Sequence, residues 1–246
     1  MSEEVLVSQN TLSGFQFSAV PIDENLTDTE YMVGEIVVDV SGSMGGHERD
    51  LEKMLNDITL MNQKLPTANK IMQRVSLFSS GVKELHGTRL VNNITVNEYN
   101  GKIKTGGLTA LNDASLYALE ASEKFCRDLM DNDYDASAVI FVLTDGGEND
   151  SRKAKTDDIL KKIRDIRQSE VAMTSLTTCL IGLSNGQSHI LDRWQKDSGF
   201  DVFVNMKNVT PSSLGKACNL ISQSFSSASK QIGSADTSQV IQGMTI

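Results

Sequence analysis

The sequence predicts an α/β fold with a doubly wound, mainly parallel central sheet flanked by helices. Three features of the 246-residue chain carry this expectation. Short apolar runs alternate with amphipathic helical patterns, the signature of strands joined by helical crossovers. One run, Ala138-Val139-Ile140-Phe141-Val142-Leu143, is continuously apolar, as a central strand covered on both faces must be. The stretch from Leu111 to Leu129 carries small residues at helical spacing, a narrow face suited to close packing on a sheet.

The elements follow in order. Glu35-Ile36-Val37-Val38-Asp39 is a β-branched strand. Leu51, Met54, Leu55, Ile58, Met61 and Leu65 recur at helical spacing until Pro66 ends the pattern. Arg74 to Ser79 reads as a strand, and Val82 to Leu85 pairs with it through a turn at Ser80-Gly81. Gly87 to Gly106 is polar and weakly patterned, with a turn at Asn100-Gly101. After the helix beginning at Leu111 and the apolar strand, Ile159, Leu160, Ile163 and Ile166 mark a helix, and Leu176 to Leu183 a strand. A short helix around Ile190, Leu191 and Trp194 precedes a strand at Val202-Phe203-Val204. A last helix through Leu214, Ala217, Cys218, Ile221 and Phe225 is entered at Thr210-Pro211. The expected organisation is an N-terminal extension over 1–30, one Rossmann-like domain over 31–225 and a Ser-rich mobile tail over 226–246. Alternating Phe15, Phe17 and Ala19 make the extension an edge strand or a strap over the core.

Composition narrows the function. A net charge of −9 argues against binding a phosphate backbone. The densest basic stretch, from Arg152 through Lys155 to Arg167, is interleaved with Asp157, Asp158 and Asp165 and reads as a solvated helix face. Cys126, Cys179 and Cys218 are odd in number, far apart and in apolar contexts, as expected of buried free thiols in a reducing compartment. No apolar run approaches the ~18 residues of a membrane span. Met1-Ser2-Glu3-Glu4 is acidic where a signal peptide is basic. The expected location is the cytoplasm, or a virion component assembled there.

Chemistry concentrates where the first strand ends. Asp39-Val40-Ser41-Gly42-Ser43 offers one carboxylate and two hydroxyls on a glycine-containing loop. Thr109, in Thr105-Gly106-Gly107-Leu108-Thr109, adds a hydroxyl at the start of the long helix, and Asp145 adds a carboxylate just past the apolar strand. In a doubly wound sheet, ligands bind outside the carboxyl ends of the strands, where Asp39 and Asp145 stand. These are hard oxygen donors, suited to Mg²⁺, Mn²⁺ or Ca²⁺. The plainer reading of the first loop is a turn and helix cap. Glu148, Asp150 and Asp113 lie near the site and either support its ligands from behind or, more plainly, are solvated loop charges (Glu148, Asp150) and part of the first helical turn (Asp113). His47, His86 and His189 read as surface or satisfied side chains. Met44 is either a partner-facing apolar contact or a plain loop residue.

The D-x-S-x-S at 39–43, the threonine at 109 and the aspartate of Thr144-Asp145-Gly146 together resemble the metal-ion-dependent adhesion site (MIDAS) of the von Willebrand factor A family. The resemblance covers about residues 33–225, and Ser41-Gly42-Ser43-Met44 with Leu143-Thr144-Asp145-Gly146 is similar to stand-alone members from bacteria and their phages. It departs at Leu108, where many members carry glycine. It implies a von Willebrand factor A fold and a divalent ion, Mg²⁺ first with Mn²⁺ or Ca²⁺ as substitutes, ligated by Asp39, Ser41, Ser43, Thr109 and Asp145. A partner's Asp or Glu would complete the shell, and a change of ligation would move the loops and the last helix.

Binding module is therefore the expected class, with no enzymatic activity. A haloacid dehalogenase-type phosphohydrolase wants a second aspartate where Ser41 stands, no Walker lysine loop is present, and neither Ser41 nor Ser43 sits in a G-x-S-x-G elbow. A metal-stabilised structural or assembly component of a phage particle or multiprotein complex is the alternative. The expected partner is a protein, with no nucleic acid and no membrane span.

Overall fold

In the computed structural model, which describes residues 6–22, 26–169, 171–183, 186 and 188–231, strands and helices alternate as the periodicity predicts. They are β1 (Val7–Asn10), β2 (Gln16–Ala19), β3 (Glu30–Asp39), α1 (Glu48–Gln63), β4 (Ile71–Phe78), β5 (Val82–Leu90) and α2 (Leu111–Met130). There follow β6 (Asp135–Thr144), α3 (Thr156–Gln168), β7 (Ser175–Gly182), α4 (Ser188–Ser198), β8 (Val202–Asn205) and α5 (Pro211–Gln231). One sheet runs in the order β1-β2-β5-β4-β3-β6-β7-β8. β4, β3, β6, β7 and β8 are mutually parallel, and β5 lies antiparallel to β4.

This order creates the crevice that matters. The chain runs outward from β3 to one side, returns, and runs outward from β6 to the other, so β3 and β6 are neighbours at the point of reversal. Their register pairs Val38 with Leu143, which brings Asp39 and Thr144 side by side at the carboxyl ends. Both strands are buried along nearly their whole length, which is why they read as unbroken apolar runs.

Two hydrophobic layers sandwich the sheet. One is built on α1 and α5, with Leu51, Leu55, Ile58, Leu214, Ile221 and Phe225 facing Ile36, Val38 and Phe141. The other is built on α2, α3 and α4 against Val37, Ile140 and Val142. The α2 contact residues Ala114, Ala118 and Ala121 are fully buried, the close packing its small-residue face predicts. Gly34 serves the opposite layer. A Cβ there would stand 2.3 Å from Cζ of Phe225, so glycine lets α5 lie directly on β3.

The N-terminal segment adds to the sheet. β2 meets β5 at Ala19 and Thr88, with Val20 N–H donating to Thr88 O at 2.9 Å, and β1 pairs antiparallel with β2 at the edge. The join is organised around Arg74, only 1% exposed. Its guanidinium contacts the carboxylates of Glu35 and Glu84, each at 3.2 Å, and lies over the rings of Tyr117 and Phe17, 4.4 and 5.4 Å from their centroids. Glu84 in turn accepts from the Ser18 amide at 3.0 Å and from the Ser18 hydroxyl. A buried cation thus binds β2, β3, β5 and α2 together.

Three expectations are revised. The second strand of the hairpin runs to Leu90, well past Leu85. The stretch after it is packed: Val91, Ile94, Tyr99 and Ile103 are buried. The Tyr99 hydroxyl meets His86 Nε2 at 2.8 Å and accepts from Gln73 Nε2 at 3.0 Å. Burial pushes the His86 pKa down to about 3, so it is a neutral, satisfied core histidine. The last helix extends to Gln231, so residues 226–231 of the expected tail are helical. Ala228 and Ser229 are buried, and Ser229 Oγ lies 2.7 Å from Thr67 Oγ1. The rest of that tail, 232–246, lies outside the described residues, as do residues 1–5 of the extension.

The three cysteines are buried free thiols. On α3, Ile159, Ile163 and Ile166 are buried while Lys161 and Arg164 are exposed. Lys162 pairs with Glu123 and Arg167 with Asp201. Among the described residues no helix is long and apolar enough to cross a membrane.

Candidate functional site

The loop after β3 leaves the sheet at Asp39, whose side chain is fully buried. Asp39 Oδ1 accepts the Ser41 amide at 2.7 Å, folding the loop back on itself, and Oδ2 accepts the Thr144 hydroxyl at 2.6 Å. Burial pushes the Asp39 pKa up to about 6. The hydrogen bonds from Thr144 and Ser41 work against that rise, and the charge of Asp145 adds to it. Gly42–Met44 then forms one 3₁₀ turn, and α1 begins only at Glu48, with His47 at its cap position.

The serine hydroxyls do not cap that helix. Ser41 Oγ lies 3.1 Å from Ser43 Oγ, and Ser43 Oγ donates to Asp145 Oδ1 at 2.7 Å. The helix-cap reading of this loop therefore fails for both serines, although Asp39 does make the turn it foresees. A continuous line of oxygens runs from Ser41 through Ser43 to Asp145, and Thr144 links Asp39 to the same loop.

Thr109 comes to this end on backbone bonds. Gly106 N–H donates to Val40 O at 2.8 Å and Gly42 N–H to Gly107 O at 3.0 Å, so the loop before α2 lies along the first loop. Gly107 has φ +83°, and a Cβ there would stand 3.0 Å from Ser80 Oγ, so this tight passage requires glycine. Thr109 is buried, its amide donating to Asn149 Oδ1 at 2.7 Å and its carbonyl accepting from Asn149 N–H at 3.0 Å. The five candidate residues Asp39, Ser41, Ser43, Thr109 and Asp145 therefore lie on three loops tied to one another.

The donor set is two carboxylates and three hydroxyls, all hard oxygens. Among the described residues no group of three or more His, Cys, Asp or Glu could hold a metal ion. Hard oxygens of this kind suit ions such as Mg²⁺, Mn²⁺ or Ca²⁺ better than a soft metal.

Sequence reasoning missed several partners. Thr144 was visible as the residue before Asp145, but its bond to Asp39 depends on the β3–β6 register. Glu148 is not a solvated loop charge: it accepts from the amides of Asn112, Asp150 and Ser151 at 2.7, 2.9 and 2.7 Å. Asp113 does belong to the first turn of α2, and it also binds the loop amides of Arg152, Lys153 and Ala154. Met44 is fully buried; among the described residues beside the site, Leu108 is an exposed apolar one, at 53%.

Comparison with known proteins agrees with this architecture. The von Willebrand factor type A domain model matches residues 36–216. No curated protein matches the sequence. Among solved structures, the PilB minor pilin from Streptococcus sanguinis is 14% identical with a TM-score of 0.56, over 84% of this chain and 63% of that one. The ArnB paralog VWA2 from Sulfolobus acidocaldarius is 18% identical with a TM-score of 0.52, over 79% of this chain and 45% of its own. Proximal thread matrix protein 1 from the mussel byssus, with a zinc-occupied MIDAS motif, is 16% identical with a TM-score of 0.51, over 82% of this chain and 46% of its own. The chain thus spans less than two thirds of each of these structures. With most of its length matched and its sheet and helices in the corresponding α/β arrangement, the chain belongs to the von Willebrand factor type A domain family.

Proposed function

We propose that this chain is a divalent-metal-dependent protein-binding module with no catalytic role. Asp39, Ser41, Ser43, Thr109 and Asp145 would hold the ion, Mg²⁺ in first place, and an Asp or Glu of a partner protein would complete its shell. The observation that supports this most directly is the line of oxygens from Ser41 through Ser43 to Asp145, at 3.1 and 2.7 Å, beside a buried Asp39. Where Asp39 and Asp145 hold the ion through water, its direct ligands are neutral hydroxyls and it keeps residual positive charge, the chemistry that attracts a visiting carboxylate. Exposed Gly42, Gly45, Gly46, Gly106 and Gly107 make a low rim that a partner can approach closely, and Leu108 offers it an apolar contact. A zinc-occupied MIDAS motif in one structural neighbour, and the pilin role named for another, are consistent with this reading.

Affinity capture in Mg²⁺ and in EDTA tests it. A partner retained in Mg²⁺ should be released by EDTA. Ser43→Ala and Thr109→Val should each lower capture by about tenfold or more while leaving the circular dichroism spectrum unchanged. Capture by both variants at the parent's level would contradict the proposal.

A further inference from the structure

Helix α2 begins without a cap of its own. Ala110 occupies the cap position and has no side-chain acceptor, so the first amides of the helix need partners from elsewhere. The loop after Asp145 supplies them: Asn112 N–H donates to Glu148 Oε2 at 2.7 Å and Asp113 N–H to Ser151 Oγ at 3.0 Å. The helix returns the service. Asp113, buried, accepts the amides of Arg152, Lys153 and Ala154 at 3.0, 2.9 and 2.8 Å. Glu148 also holds its own loop together through the amides of Asp150 and Ser151 and the Ser151 hydroxyl, the last at 2.6 Å.

We propose that this reciprocal cap, with Glu148 and Asp113 as its two positioning residues, fixes the Asp145 loop against the Thr109 turn and thereby sets the affinity of the site for its ion. The proposal rests on the metal reading of the site given above. Thr109 and Asp145 belong to loops far apart in sequence, and a shell drawn from both must hold them at a fixed separation. The cap joins the chain just after Thr109 to the chain just after Asp145, and the bonds between Thr109 and Asn149 continue it up to the ligand itself. Fixing the loops before binding removes an ordering cost that would otherwise be set against affinity. Neither carboxylate is needed as a ligand for this; both act through the loops they hold.

Mn²⁺ titration of the parent, Glu148→Gln, Ser151→Ala and Glu123→Gln tests the proposal. Glu148→Gln turns one acceptor oxygen into a donor facing amide donors and should weaken Mn²⁺ binding about tenfold, the scale seen when groups that orient ligands are changed. Ser151→Ala, the milder change, should weaken it less but measurably. In both variants the metal-free protein should exchange the amides of 112, 113 and 150–154 faster, with those of β6 unchanged. Glu123→Gln removes the Lys162 partner elsewhere on α2 and should lower stability without altering Mn²⁺ affinity. If Glu148→Gln does not fold, Ser151→Ala decides. Parent-like Mn²⁺ affinity in the variants, with faster amide exchange, would show a purely structural cap and overturn the inference while leaving the metal reading intact. A parent that binds no Mn²⁺ would overturn both.

Discussion

Asp39→Asn is expected to stabilise the metal-free protein at pH 7 and to remove its response to Mg²⁺. The Asp39 carboxyl is fully buried and its pKa stands near 6, above the 3.8 of an unperturbed group. A carboxyl whose pKa is raised by folding contributes stability below its unfolded pKa and loses it as pH rises through the folded one. For Asp39 that window runs from about pH 4 to about pH 6, so at pH 7 the metal-free protein carries a buried charge at a cost on the order of 3 kcal/mol. Asparagine removes the charge and keeps the shape. Its Oδ1 can still accept the Ser41 amide, and its amide group can donate to Thr144 Oγ1, whose hydroxyl already has Gly146 O within 2.8 Å as an alternative acceptor. Urea denaturation in EDTA should therefore show Asp39→Asn to be more stable than the parent at pH 7, with the gain shrinking towards pH 4. Mg²⁺ should then stabilise the parent alone, by about 2.7 kcal/mol at a hundredfold excess over Kd. A variant less stable than the parent in EDTA at pH 7 would contradict this account of Asp39.

Arg74→Met should have the opposite character: a large loss of stability with the site's own residues unchanged. Removing one member of a buried ion pair leaves the other charge uncompensated, at a cost of about 3–5 kcal/mol. Here the stranded group is Glu35, fully buried on β3, whose pKa burial already raises to about 7 against the opposing pull of Arg74 and the Ser76 hydroxyl. Without the guanidinium it rises further. The sign is that of a raised carboxyl: the neutral form is tolerated at low pH and the penalty grows as pH rises. The pH-dependent part of the loss should grow as pH rises above about 7, where Glu35 of the parent ionises, and be small at pH 5. A remainder should persist there from the lost ring contacts with Tyr117 and Phe17. Adding Glu35→Gln should recover much of the pH-dependent part. An equal loss at pH 5 and at about pH 9 would place the cost in packing and not in the stranded charge.

Much of this was legible in the sequence because each feature was written in adjacent residues. β3 and β6 are unbroken apolar runs because both faces are covered, and the candidate ligands follow directly from strand ends or helix starts. What was not legible depends on pairs distant in the chain. Tyr99 and Ile103 are lone apolar residues in a polar stretch, without a period to betray their burial. Arg74 looks like a solvent-facing strand residue until Glu35, Glu84 and Tyr117 close around it. Glu148 and Asp113 are 35 positions apart, and charge and position alone gave no sign that each caps the other's segment. Met44, open in the sequence between a partner contact and a plain loop residue, is a core residue, because its burial is decided by the 3₁₀ turn that follows Ser41.

The most direct test of the central claim is calorimetric titration of Mg²⁺ or Mn²⁺ into the purified chain and into Asp39→Ala. The account predicts a single saturable site in the parent and its loss in the variant, with both proteins folded. No binding by the parent, or binding by Asp39→Ala as tight as the parent's, would contradict it.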